Sequence, residues 1–92
     1  MTYRVDLSKH ARRGYNRLPF DVAVAVGALF DGVLASNPQR VGSILLDPPL
    51  AGVHRAKRGE YVVLYDIDDD AMVVQVRRIE HRRTVYGRPL PT

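Results

Sequence analysis

Arg55-Ala56-Lys57-Arg58-Gly59-Glu60-Tyr61-Val62-Val63-Leu64-Tyr65-Asp66-Ile67-Asp68 decides how this chain folds. Tyr61 to Ile67 carries apolar residues at both parities, which predicts a strand covered on both faces and therefore central in its sheet. Ala51 to Lys57 reads as the strand before it. Asp68-Asp69-Asp70 supplies a polar turn, and Met72 to Ile79 forms the strand after it. In that last strand Val74 and Val76 oppose Gln75 and Arg77, but Ile79 falls out of phase, predicting a bulge or twist near its end. A basic, hydroxyl-bearing segment follows: His81-Arg82-Arg83, then Val85-Tyr86. A rigid sheet presenting arginines, a histidine and a tyrosine at one end suits gripping or cleaving a phosphodiester.

Working back toward the N-terminus, Thr2 to Leu7 has the flavour of a short first strand. Ser8 is placed to cap a helix whose Ala11, Tyr15 and Leu18 share one face. Pro19 stops that helix, because the residue before a proline avoids the α region. A second helix is expected from Phe20 to Ser36, between Pro19 and Pro38, with Val22, Val26, Leu29 and Val33 as its stripe. Val22 to Val26 also fits strand alternation, but some seventeen residues between two prolines suit a helix better. The two helices make an antiparallel hairpin through the Leu-Pro turn. Val24, Ala28 and Phe30 lie off the stripe, so this helix is either well buried in its own domain or covered by a partner. Asn37 to Leu50 reads as an irregular connector bent at Asp47-Pro48-Pro49, and Arg88 to Thr92 as a short tail. The predicted order is β-α-α-β-β-β: a single α+β domain over residues 1–92, its helical hairpin packed on a mainly antiparallel four-stranded sheet.

Ninety-two residues with 46% hydrophobic content are enough for one packed core. There is no cysteine, which excludes disulfides and thiolate chemistry. The N-terminus lacks the apolar core of a signal peptide and no apolar run reaches the length of a membrane span, so a cytoplasmic, membrane-independent protein is expected. Net charge is +4 and twelve of fourteen cations are arginine. Arginine's planar fork pairs bidentately with phosphate, so the balance leans toward nucleic acid or an acidic partner, against the alternative of an inert solvated surface.

Arg55 and Lys57 are two apart on a strand and point to the same face. Arg58 follows at the turn, and Arg77, Arg78, Arg82 and Arg83 come from the far end of the hairpin to converge with them. Such a set would hold an RNA backbone and stabilise a pentavalent phosphate. Cutting RNA also needs a base for the 2′-hydroxyl and an acid for the 5′-leaving oxygen; His81, Arg82 and Tyr86 are the residues able to divide those roles. Taken one at a time, each of these residues is also what a solvated surface would carry. His10 and His54 offer nothing comparable. Asp66, Asp68, Asp69 and Asp70 lack the glycine and distal glutamate of an EF-hand loop, so a polar turn explains them and no metal is expected.

Leu18-Pro19, Asn37-Pro38-Gln39-Arg40-Val41-Gly42, Leu50-Ala51-Gly52, Arg58-Gly59-Glu60-Tyr61, Val63-Leu64-Tyr65-Asp66-Ile67-Asp68 and His81-Arg82-Arg83 with Val85-Tyr86 together resemble the RelE/ParE superfamily of toxins of type II toxin–antitoxin systems, RelE most closely. The resemblance runs in order along nearly the whole chain. It implies an endonuclease that enters the ribosome, cleaves mRNA by 2′-hydroxyl attack without metal or cofactor, and so inhibits translation. It also implies a cognate antitoxin that wraps the toxin, with operator DNA bound only through that complex. Arg82 matches the family's arginine after the last strand and Tyr86 its terminal catalytic tyrosine. Arg55 and Lys57 lie near its phosphate-gripping residues, within a residue or two, while His81 stands where the family is usually basic. The family has arginine directly after the strand's tyrosine, where this chain has Val62; that loss weakens, relocates (to Arg58, for instance) or removes activity. Two alternatives follow: a ParE-like gyrase inhibitor that acts by binding, and a disarmed relative serving as antitoxin partner and co-repressor.

Overall fold

Ser8 sits in extended backbone and its Oγ accepts the Ala11 N–H at 3.0 Å, which starts helix α1, Lys9–Asn16. Strand β1, Arg4–Leu7, precedes it. The structure, a computed structural model, describes residues 2–41, 43–44 and 52–83. After Pro19 the chain enters α2, Phe20–Asp31. The Tyr15 hydroxyl donates to the Ala23 carbonyl at 3.2 Å and its ring meets Phe30 at 6.0 Å, so the two helices pack on each other through one aromatic side chain.

The single helix expected up to Ser36 is in fact broken. Gly32 takes φ −104° and ψ −106°, well outside helical values, and separates α2 from α3, Val33–Ser36. Its N–H still donates to Ala28 O at 2.9 Å, while its carbonyl accepts from Ala35 and Ser36 in the next turn. The break rotates Val33 off the predicted stripe into solvent and buries Leu34 and Ala35 instead. The connector, expected to be irregular, begins with a turn of helix, α4 (Pro38–Val41), and a two-residue strand, β2 (Ser43–Ile44). The bend at Asp47-Pro48-Pro49 lies outside the described residues.

Three longer strands follow: β3 (His54–Arg58), β4 (Tyr61–Asp68) and β5 (Val73–His81). The sheet order is β1-β5-β4-β3-β2, so the four expected strands gain β2 as a short edge. β4 is central, as its two apolar parities require, with Val62 to Tyr65 all buried. A two-residue loop joins β3 to β4; Gly59 at φ 60° takes its first position, where a residue with a Cβ would be strained. The predicted bulge is present: Leu64 opposes Arg78 but Tyr65 opposes Val76, leaving Arg77 as the extra residue. That slip returns Ile79 to the face of Val74 and Val76.

The helices cover one face of the sheet. Ala11, Val26, Leu29 and Leu34 pack there against Ala56, Val63, Tyr65, Val74, Val76 and Ile79. α1 approaches β5 so closely that a Cβ on Gly14 would collide with the Ile79 carbonyl. Gly14→Ala is therefore expected to destabilise by about 1–3 kcal/mol despite alanine's higher helix propensity. Urea denaturation checks this; a variant more stable than the parent would show that α1 is free to move.

Far from that contact, the Tyr3 hydroxyl donates to Asp69 Oδ1 at 2.7 Å, and the Gln39 amide donates to both at 2.9 and 2.7 Å. The bond to Asp69 holds the Tyr3 phenol above its ordinary pKa, partly offset by the donor from Gln39. Whatever this cluster contributes is in place below that ordinary value and is lost as pH rises past the raised one. Among the described residues no helix is long and apolar enough to cross a membrane.

Candidate nucleic-acid interface

The face of the sheet turned away from the helices is built from cross-strand rows. Arg55 on β3 lies opposite Leu64 on β4, which lies opposite Arg78 on β5; the next row is Lys57, Val62 and Glu80. Their chain neighbours Ala56, Val63 and Ile79 belong to the helix-covered core, so alternation sends Arg55, Lys57, Val62, Leu64 and Arg78 to the other side, while Glu80, where β5 has no β1 neighbour, reaches His10 of α1 at 3.3 Å. Val62 and Leu64 form a buried apolar floor between basic walls. Arg78 lies 3.3 Å from each oxygen of Glu80, and bulged Arg77 reaches Asp66 Oδ2 at 3.5 Å. The bulge thus puts two consecutive arginines on one face, which strict alternation forbids.

Arg82 follows directly after β5. Its N–H donates to the Glu60 carbonyl at 2.8 Å and its Nε to Glu60 Oε2 at 2.9 Å, tying it to the β3–β4 turn. Both side chains are well exposed, so the guanidinium is anchored by a solvent-screened pair. The Arg83 N–H donates to His81 Nδ1 at 3.2 Å, which places the proton of a neutral His81 ring on Nε2.

Of the sequence-predicted residues, the sheet brings Arg55, Lys57, Arg77 and Arg78 to one face, with Arg82 at its end. Arg58 and His81 lie in the same cross-strand row as Tyr61, on the helix side. Arg58, considered above as a stand-in for the arginine missing at Val62, donates instead to the Lys57 carbonyl at 2.6 Å and is on the opposite face from Val62. His81 meets Tyr61 edge to face at 5.2 Å. Tyr86 lies outside the described residues. Glu60, which holds Arg82, was missed; only the hairpin pairing puts it there.

The acidic residues of the β4–β5 turn act structurally: Asp66 pairs with Arg77, Asp68 accepts the Ala71 N–H at 3.0 Å, and Asp69 accepts from Tyr3 and Gln39. Among the described residues there is no group of three or more His, Cys, Asp or Glu placed to hold a metal. Along the outer side of α2, Phe20 is 73% and Val24 60% exposed, whereas Val26 and Leu29 are buried. The apolar excess of this helix is therefore divided between core and surface.

The family described as ParE toxin of type II toxin-antitoxin system, parDE, matches residues 5–86. Toxin RelG of Mycobacterium tuberculosis is 40% identical over 88 residues, spanning 96% of this chain and all of the relative. Toxin RelE of the same organism is 38% identical over 84 residues, spanning 91% and 86% of the two chains. The crystal structure of the M. tuberculosis toxin–antitoxin complex RelBE2 holds a chain with a TM-score of 0.81 at 39% identity, covering 89% of this chain and all of that one. With its helical pair on one side of a mainly antiparallel sheet and these relatives matched nearly end to end, the chain belongs to the RelE/ParE family of toxins of type II toxin–antitoxin systems.

Proposed function

We propose that this toxin is a ribosome-dependent mRNA endonuclease of the RelE kind, held inactive by a cognate antitoxin. The observation that carries the reading is the row geometry: Arg55, Lys57, Arg77 and Arg78 share one sheet face that ends at Arg82. Single-stranded RNA laid across it meets a line of cations matched to its phosphates. In the reaction the 2′-oxygen attacks phosphorus, its proton passes to a base, and the 5′-oxygen leaves with a proton from an acid. We assign charge stabilisation of the pentavalent phosphate to Arg82, with Arg55 and Lys57 positioning the strand. His81 and Tyr86 remain the proton-transfer candidates. Because His81 faces the helix side, it serves only by holding the Arg83 segment or after a rearrangement on the ribosome. The exposed stripe through Phe20 and Val24 is the surface assigned to the antitoxin, and operator DNA is reached only through the complex.

Buried Val62, at the centre of the basic face, supports a second reading: gyrase inhibition by binding, which needs no catalytic arginine there. Expression without antitoxin, with primer extension on a translated mRNA, separates the two. Cuts within translated codons that fade in Tyr86→Phe are the expected result. Growth arrest with intact mRNA would transfer the assignment to gyrase, and no arrest at all would leave a disarmed co-repressor.

A further inference from the structure

On the helix side, beside the end of β5, is a cavity of about 430 Å³ lined by α1, Leu18, the start of β4 and the last residues of β5. Its volume is in the range of small-molecule sites. His10, Arg13 and Arg17 reach it from α1 and its C-cap, and Tyr61, Glu80 and His81 from the sheet. The close contact of Gly14 with the Ile79 carbonyl sets the depth of this junction and holds the two arginines beside the strand end.

Its charges are unbalanced. Among the described residues Glu80 is the only carboxylate in the lining, and it is already engaged by His10 at 3.3 Å and by Arg78 at 3.3 Å. Arg13 and Arg17, four residues apart on one helical face, have no side-chain hydrogen bond or ion pair among the described residues. Like charges at that spacing repel mildly, and an oxyanion seated between them removes the repulsion while accepting from both forks. The Tyr61 ring, braced edge to face by His81, and Leu18 form a flat, partly apolar wall beside the cations. His81, with its Nε2 proton, adds a donor.

We infer that this cavity binds a phosphomonoester, the phosphate between Arg13 and Arg17 and an aromatic base against Tyr61, as a nucleoside 5′-monophosphate would present them. The cavity opens on the other side of the sheet from Arg55 and Lys57, the two sides meeting at the Arg78–Glu80 pair, and the proposal does not rest on the nuclease reading, since binding is measured without a ribosome. Tyrosine accepts any base by its face, so selectivity among bases is expected to be low.

The test is calorimetric titration of the full chain with adenosine 5′-monophosphate and, separately, with inorganic phosphate. The exposed pair Arg13→Ala/Arg17→Ala, whose fold is verified by circular dichroism, is expected to weaken nucleotide binding by about tenfold or more. Arg55→Ala/Lys57→Ala on the other face is expected to leave it unchanged. Nucleotide binding tighter than phosphate, with Tyr61→Ala removing the difference, supports a nucleotide ligand. Equal affinity for both, insensitive to Tyr61→Ala yet lost with the arginines, supports the same oxyanion site with free phosphate as its ligand. No saturable binding of either up to about 10 mM, or affinity lost from the Arg55/Lys57 variant rather than the Arg13/Arg17 variant, would overturn the proposal. So would an Arg13/Arg17 effect seen only with an RNA oligonucleotide.

Discussion

On the proposed nuclease reading, Arg82→Ala is expected to lower mRNA cleavage by about 10²–10³-fold, the usual cost of removing one preorganised charge donor. Growth arrest on expression should fall with it. The fold should hardly notice, because the Arg82–Glu60 pair is exposed on both sides and such pairs contribute about 0–1 kcal/mol. The bond from the Arg82 N–H to the Glu60 carbonyl is backbone and survives the substitution. Activity and stability therefore separate at this position. Glu60→Gln is the companion variant: it breaks the same ion pair but leaves the guanidinium in place, so cleavage should be retained or rise as a competing anion is removed. Cleavage unchanged in Arg82→Ala would take Arg82 out of the reacting centre. Primer extension and denaturation midpoints, measured on the same preparations, decide it.

The largest stability effect is expected at Tyr65. Its side chain is fully buried, stacks on His54 at 5.3 Å and donates its hydroxyl to the Pro38 carbonyl at 2.8 Å. That bond fastens α4 to the central strand. Tyr65→Ala leaves a cavity under the helices and should cost about 3–5 kcal/mol, against a total of about 5–15 kcal/mol for a typical domain. Tyr65→Phe keeps the ring and removes only the donor, leaving the Pro38 carbonyl without it; about 1–3 kcal/mol is expected. The difference between the two in urea unfolding separates packing from hydrogen bonding. A phenylalanine variant as stable as the parent would mean that α4 is held by other contacts.

Local signals were legible wherever the physics is local. Ser8 announced its helix because a hydroxyl three residues before an amide is a cap whatever the rest of the chain does. The run Tyr61–Ile67 announced a central strand because two apolar parities need two covered faces. Even the bulge showed, as Ile79 out of phase. Gly32 did not: glycine inside an apolar run is tolerated in a helix, and only the docking of Leu34 and Ala35 on the core turns it into a break. The two-residue β2 is too short to show any period and exists by pairing with β3.

The candidate site divides the same way. Alternation alone shows that Arg55 and Lys57 share a face, that Val62 belongs to the other parity from Tyr61, and that the chain is rich in arginine suited to phosphate. It does not say which parity meets the helices. That was decided by β1 pairing in parallel with β5, by the slip at Arg77, and by the turn that sets Glu60 against Arg82. Each of these joins residues far apart in sequence or moves a register by one, and a one-residue slip carries every later side chain to the opposite face. Hence His81, adjacent to Arg82 in the chain, looks toward the helices and a cavity, while the basic residues that gather around Val62 come from two strands on either side of it.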